Sequence, residues 1–276
     1  MSGIYWIASY PKSGNTWIRL IIAAVTHETG DLCINSKALC PMVAVDRDLF
    51  DELLGVESSE FTPTELLALR PAMLHTYMRD CRAPLIAKTH DARLPAGDGV
   101  NAWCDDYTLG GVYLLRDPRD VAVSLARHMG RSLDAAIEQM ATPSAVVAQS
   151  VRKFNSQLPE VWSSWSGHVE SWTGRQLSGV QIIRYEDLRA EPAKRAALAL
   201  AALGIAVEGP VLERALEMTR LEQLRQQEEQ FGFVEAQNGR FFGEGLTGGW
   251  KKVLSPSQVR KIEADHGTVM RRFGYL

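Results

Sequence analysis

Apolar residues gather in four short blocks of strand length. Residues 4–9 (IYWIAS), 84–88 (PLIAK), 111–115 (GVYLL) and 180–184 (VQIIR) are near-continuous apolar runs, not alternating ones. Runs of this kind suit strands covered on both faces. Each is followed by a polar turn and then a helical stretch or a long loop. Thr16 to about Glu28 (TWIRLIIAAVTHE) reads as a helix, and residues 192–203 (PAKRAALALAAL) as an Ala/Leu-rich helix that Gly204 closes. Asp117-Pro118-Arg119-Asp120 offers an Asp cap, Pro at the first helical position and an acid at the third. Ser255-Pro256-Ser257-Gln258 offers a capping box that opens the last helix. Strands alternating with helices predict an α/β fold over residues 1–276, with a central parallel sheet, right-handed crossovers and flanking helices.

Two regions depart from this pattern. Residues 31–83 mix short helical pieces with turns and show no long period. Residues 228–249 hold six glycines (232, 239, 243, 245, 248, 249) and four phenylalanines (231, 233, 241, 242). That composition reads as a lid whose aromatics pack on a ligand, with an ordinary surface loop as the alternative. No repeat, low-complexity tract or domain linker interrupts the chain, so one domain is expected.

Composition narrows the classes. Of 276 residues, 46% are hydrophobic and 23% charged, which excludes global disorder, collagen and fibres. Thirty Lys+Arg against 33 Asp+Glu give a net charge of −3, so nucleic acid is not an expected partner, although a local basic site remains open. The cysteines at 33, 40, 81 and 104 form no Cys-x-x-Cys pair and no metal pattern. His27-Glu28 is followed by Asp31 where a zinc motif needs His. The start of the chain lacks a signal-peptide pattern, and its apolar run Trp17 to Val25 contains Arg19 and falls short of the roughly 20 residues of a membrane span. A cytoplasmic protein without membrane partners is expected.

The richest segment is Tyr10-Pro11-Lys12-Ser13-Gly14-Asn15-Thr16-Trp17, a turn between the first strand and the first helix. Such a turn aims backbone N–H groups and the positive helix end at an anion. Gly14 permits close approach, Lys12 adds a charge, and Ser13, Asn15 and Thr16 add short donors. The Walker pattern is absent because Lys12 precedes Gly14, and Gly-x-Gly-x-x-Gly is absent too. In isolation a Lys-Ser-Gly turn is more often an unliganded surface turn, and its place after the first strand brings the phosphate reading level with that one. After the 111–115 strand, Arg116 and Ser124 could hold a second phosphate, or Arg116-Asp117-Pro118-Arg119-Asp120 could be a structural network at a helix start. Lys88-Thr89-His90 ends another strand, which makes His90 a candidate general base. The histidines at 27, 75, 128, 168 and 266 read as ordinary ones.

Taken in order, these pieces resemble the PAPS-dependent sulfotransferase family (PAPS is 3′-phosphoadenosine 5′-phosphosulfate). The resemblance rests on YPKSGNTW at 10–17, KTH at 88–90, LLRDPRDVAVS at 114–124, RYEDL at 184–188 and GEGLTGGWKKVLS at 243–255. The opening segment is most similar to bacterial members, including those that sulfate glycopeptide antibiotics. The resemblance implies a sulfotransferase fold with a P-loop-like phosphate loop. It implies transfer of a sulfuryl group from PAPS to a phenol or alcohol hydroxyl of a small molecule or natural product, without a metal. Lys12, Ser13, Gly14, Asn15 and Thr16 would hold the 5′-phosphosulfate, and Trp17 would stack on adenine. Arg116 and Ser124 would hold the 3′-phosphate, with Tyr185, Thr219 and Gly245 as further nucleotide contacts. His90 would be the base, with Lys12, Lys88 and Ser124 completing the catalytic set.

Two departures qualify these expectations. The family's Arg-Lys-Gly is Gly243-Glu244-Gly245 here, and Arg240 is the nearby cation that could substitute. The animal-type dimer motif is not met, since the frame reads Lys251, Ser255-Pro256, Arg260, so a monomer or another dimer is expected. A nucleotide kinase-like phosphoryl transferase, using ATP and Mg²⁺, and a non-catalytic nucleotide-binding module are the competing readings.

Overall fold

Each of the four apolar blocks forms a strand in the computed structural model. It describes residues 2–26, 32–36, 44–93, 105–150, 157–174, 179–236, 238–243 and 245–276. Strands β1 (Ile4–Ser9), β2 (Leu85–Thr89), β3 (Thr108–Leu115) and β6 (Val180–Arg184) make one parallel sheet in the order β2-β1-β3-β6. Two short strands, β4 (Val146–Val147) and β5 (Glu160–Val161), pair antiparallel outside it. The main strands stop nearly level: Ala8 pairs with Thr89, Ser9 with Leu114, and Leu115 with Arg184. Tyr10, His90, Arg116 and Tyr185 therefore follow one another along the carboxyl edge, where open α/β sheets bind ligands.

Burial on both faces explains the continuous apolar runs. On one face, Ile7, Val112, Leu114 and Ile183 pack against α1 (Asn15–Thr26), α8 (Pro192–Ala202) and α9 (Gly209–Met218) through Ile18, Ile21, Leu200 and Leu212. On the other, Trp6, Tyr113 and Leu115 pack in one cluster with residues of α3 (Pro63–Asp80), α4 (Pro118–Met129), α5 (Leu133–Ala141), α6 (Trp165–Thr173) and α11 (Pro256–Arg272). The fully buried Trp165 and Trp172 belong to this second layer. The capping expectations hold: Asp117 accepts from the Arg119 N–H, and Ser255 and Gln258 form a reciprocal capping box. The predicted helix from Thr16 runs from Asn15 to Thr26, and its expected end at Glu28 lies outside the described residues. No helix among the described residues is long and apolar enough to cross a membrane.

One expectation is corrected. Residues 31–83 are not only short pieces, because α3 is an 18-residue helix. A capping box between Thr62 and Glu65 and Pro63 in the first turn announce it. Its periodicity is blurred because it buries Arg70 within its apolar face and carries Pro71 inside. Ahead of it lies α2 (Arg47–Leu54), capped by Asp46 and closed by Gly55.

Candidate active site

The turn after β1 is held in an unusual backbone shape. Lys12 has φ 68° and Gly14 φ 104°, both in the left-handed region. For Lys12 this costs strain, of the kind that clusters at functional sites. The Gly14 carbonyl accepts from the Trp17 and Ile18 N–H groups at 3.0 and 3.2 Å, so α1 begins at once and its N-terminus faces the turn. Alternating left-handed residues at a helix start form a concave anion nest. Inside it the Ser13 hydroxyl is buried with no hydrogen-bond partner. A buried hydroxyl left alone is costly, and a phosphate oxygen would satisfy it. Tyr185, the first residue of α7 (Tyr185–Ala190), closes the nest from above: a Cβ on Gly14 would sit 2.9 Å from its ring.

Tyr185 also joins the other predicted nucleotide residues. The Arg116 guanidinium lies 4.4 Å over its ring, and Trp17 meets it edge-on at 6.1 Å. Its hydroxyl donates weakly to the Gly245 carbonyl at 3.4 Å. Arg116 donates to the Lys12 and Leu246 carbonyls at 2.9 and 3.1 Å, while its Nε is buried and unpartnered. Ser124, Thr219 and Arg240 line the same cleft. The Thr219 hydroxyl donates to the Ala215 carbonyl at 2.8 Å, and Arg240 is exposed. The Asn15 amide turns inward instead, donating to the Ile7 carbonyl at 3.0 Å, and so ties the helix start to β1.

Across the cleft stand Lys88 and His90. The His90 Nδ1 is 2.8 Å from the Ser9 carbonyl. A carbonyl only accepts, so Nδ1 carries the proton and Nε2 carries the lone pair. Burial, with help from Lys88, pushes the His90 pKa well below the ordinary value, so the ring is neutral at working pH. Three partners fix the turn: its N–H donates to Glu160 at 3.0 Å, its carbonyl accepts from His168 Nε2 at 3.1 Å, and Asp91 pairs with the buried Arg70 of α3 at 2.5 Å. None of the described residues of 32–83 lines the cleft, and Arg70 of this region braces the His90 turn through Asp91. Burial also lowers the Lys12 pKa to about 8.

The cleft measures about 1930 Å³, above the roughly 300–1000 Å³ of a typical single-ligand pocket. It has room for two ligands. The segment after α10 (Leu221–Phe231) forms much of its rim. Of its aromatics, Phe241 and Phe242 line the cleft. Phe233 and Phe242 are buried with Leu20, Ala23 and Leu224, while Phe231 points outward and is 63% exposed. Phe241 lines the cleft, with the Lys12 ammonium 3.8 Å over its ring. Glu244 lies outside the described residues.

Sequence reasoning missed three residues here. Glu235 reaches from this segment into the phosphate loop, accepting from Thr16 Oγ1 at 3.0 Å and pairing with Arg19. The signal for Arg19 was present, since a cation inside an apolar helical run needs a buried partner. Nothing local marks Glu235. His168, read as an ordinary histidine, orients the His90 turn.

The sulfotransferase domain family matches residues 4–274, and the chain belongs to that family. Among curated relatives it is 22% identical to cytosolic sulfotransferase 16 of Arabidopsis thaliana, over 98% of this chain and 75% of that protein. It is 25% identical to sulfotransferase 1A1 of Bos taurus, over 96% of this chain and 82% of that one. Among solved structures it is similar to mouse sulfotransferase SULT7A1 complexed with PAP, with TM-score 0.64, 18% identity, and 98% and 84% of the two chains covered. Retinol dehydratase in complex with retinol and PAP gives TM-score 0.61 at 17% identity, over 97% and 81%. These relatives are plant and animal proteins, so the bacterial likeness of the opening segment is not carried by them. Sulfuryl transfer is the activity of the family, and the phosphoryl-transfer alternative is not favoured.

Proposed function

We propose that this chain transfers a sulfuryl group from PAPS to a hydroxyl of a small-molecule acceptor, with His90 as general base. The observation that carries the reading is the pairing, in one cleft, of an anion nest with a buried unpartnered Ser13 hydroxyl and a histidine whose free Nε2 is a base. Lys12, Ser13, Gly14, Asn15 and Thr16 would hold the 5′ end of the nucleotide through backbone N–H groups, the Ser13 hydroxyl and the Lys12 charge. Trp17 would stack on the adenine and Tyr185 would contact the nucleotide, while Arg116 and Ser124 would hold the 3′-phosphate, with Thr219, Gly245 and Arg240 along the wall. PAPS supplies the sulfuryl group.

The protein's own part is binding, charge compensation and proton transfer. His90 Nε2 accepts the acceptor's hydroxyl proton, an effect typically worth ~10²–10⁴-fold. Lys12 and the nest amides oppose negative charge as it grows on the phosphate, and Lys88 adds a cation beside the base. The acceptor is a phenol or alcohol, and a natural product fits the room available. Residues 228–249 act as the lid over it, and assembly, where it occurs, does not use the animal-type dimer segment. The test is calorimetric titration with 3′,5′-bisphosphoadenosine beside ATP·Mg²⁺, followed by PAPS with a panel of hydroxyl acceptors. Tight binding of the bisphosphate and much weaker ATP is expected. A preference for ATP, or binding of neither, overturns the reading.

A further inference from the structure

A nucleotide with phosphates at both its 5′ and 3′ positions needs two separate anion sites. The nest at 10–17 is one. At the other, Arg116 is already committed, since its two terminal nitrogens donate to the Lys12 and Leu246 carbonyls. Only its Nε is left without a partner. Ser124 brings a hydroxyl and no charge. A dianionic phosphate there needs a further cation.

Arg127 meets that need. It lies three residues beyond Ser124 on α4, so both side chains share one face of the helix. Both line the cleft. Among the described residues the guanidinium has no ion pair and no hydrogen bond. It lies against Gly243. A Cβ built there would fall 2.3 Å from Arg127 Nη1, so the guanidinium fills the room that a missing side chain leaves. Its charge is felt across the site, because Arg116 and Arg127 together help to lower the Lys12 pKa. Three cations on one wall, none of them in an ion pair among the described residues, favour an anion between them. The rival cations are less suited. Arg131 donates to Gln139 at 3.5 Å, and Arg240 also borders a second, smaller cavity lined by Glu228 and Glu229.

We propose that Arg127 is the cation that recognises the 3′-phosphate, reaching it over Gly243 and acting with Arg116 Nε and the Ser124 hydroxyl. The assignment rests on the nucleotide reading given above. Lost contact to a charged group typically costs ~1.5–3 kcal/mol, which is roughly 10- to 100-fold in affinity. The experiment compares calorimetric binding of 3′,5′-bisphosphoadenosine and adenosine 5′-monophosphate to the wild-type chain, Arg127→Ala and Arg240→Ala. The wild-type chain is expected to prefer the bisphosphate. Arg127→Ala is expected to lose roughly 10- to 100-fold for the bisphosphate and to bind the monophosphate within about twofold of wild type, so the preference collapses. Because Arg127 is exposed and unpaired, its loss leaves the fold intact, which thermal melting checks. Equal weakening of both ligands, no weakening, or loss of the preference only in Arg240→Ala overturns the assignment. A wild-type chain that binds neither ligand overturns the nucleotide reading, and the assignment with it.

Discussion

The phosphate loop at 10–17 and the glycine-rich segment after Phe231 face each other across one cleft, and they are built by opposite means. The loop is fixed by its neighbours in sequence. A strand delivers it, a helix begins within it, and its closing hydrogen bonds span three or four residues. Among its described residues the glycine-rich segment has no strand, and no helix before the single turn at Gly249–Lys252. Carboxylates hold it from a distance. Glu228 accepts from the Phe241 and Phe242 N–H groups, Asp120 accepts from Gly248 and Trp250, and Glu235 grips Thr16 and Arg19. Local geometry makes a rigid anion nest. Charged anchors make a wall whose hold depends on ionisation and on what else binds the same cations.

The largest effect expected from breaking this arrangement is on the base. His90→Ala should cut turnover by ~10²–10⁴-fold, while affinity for 3′,5′-bisphosphoadenosine stays near wild type. Normal turnover in that variant would remove His90 from the mechanism. A pH profile sharpens the point. The base must be neutral, and burial with Lys88 lowers its pKa. Activity should therefore persist as pH falls through the ordinary histidine range and fail only below it. An acid limb centred on the ordinary value would show that the ring is solvated.

Gly14→Ala tests the locally built side. Its φ of 104° disfavours a side chain, and the added Cβ would press on the Tyr185 ring at 2.9 Å. A loss of ~1–3 kcal/mol in stability is expected, read as a lower thermal midpoint, together with weaker nucleotide binding. Unchanged melting would mean that the nest relaxes without strain. Glu235→Gln tests the other side and should have the smallest effect. It removes a negative charge from beside Thr16, Arg19 and Lys12 while keeping the side-chain shape. Bisphosphate should bind a few-fold more tightly, with the gain fading as salt is added. Weaker binding instead would show that the carboxylate's main task is to hold the wall in place.

Much of this arrangement was legible in the chain. The four apolar runs gave the sheet, and the caps at Asp117 and Ser255 gave two helix starts. The positions of Lys12, Gly14, Arg116, Tyr185 and His90 were legible because each sits within three residues of a strand or helix boundary. The helix at Pro63–Asp80 was overlooked. Its buried Arg70 pairs with Asp91, whose position depends on another part of the chain, and that breaks the apolar period. Glu235 and Arg127 were overlooked for a related reason: their partners lie far away in sequence.

By itself, then, the sequence determined the parallel sheet, the turn that forms the anion nest, and the row of residues along the carboxyl edge. These follow from burial on both faces, capping and glycine backbone freedom, all of which act over a few residues. Tertiary structure alone decided which nitrogen of His90 is free, through the Ser9 carbonyl, and which carboxylate holds Arg19. It also decided that Arg127 stands over Gly243 without a partner. Those outcomes depend on where distant segments meet, and hydrogen bonds and charges act only once the fold has brought their ends within reach.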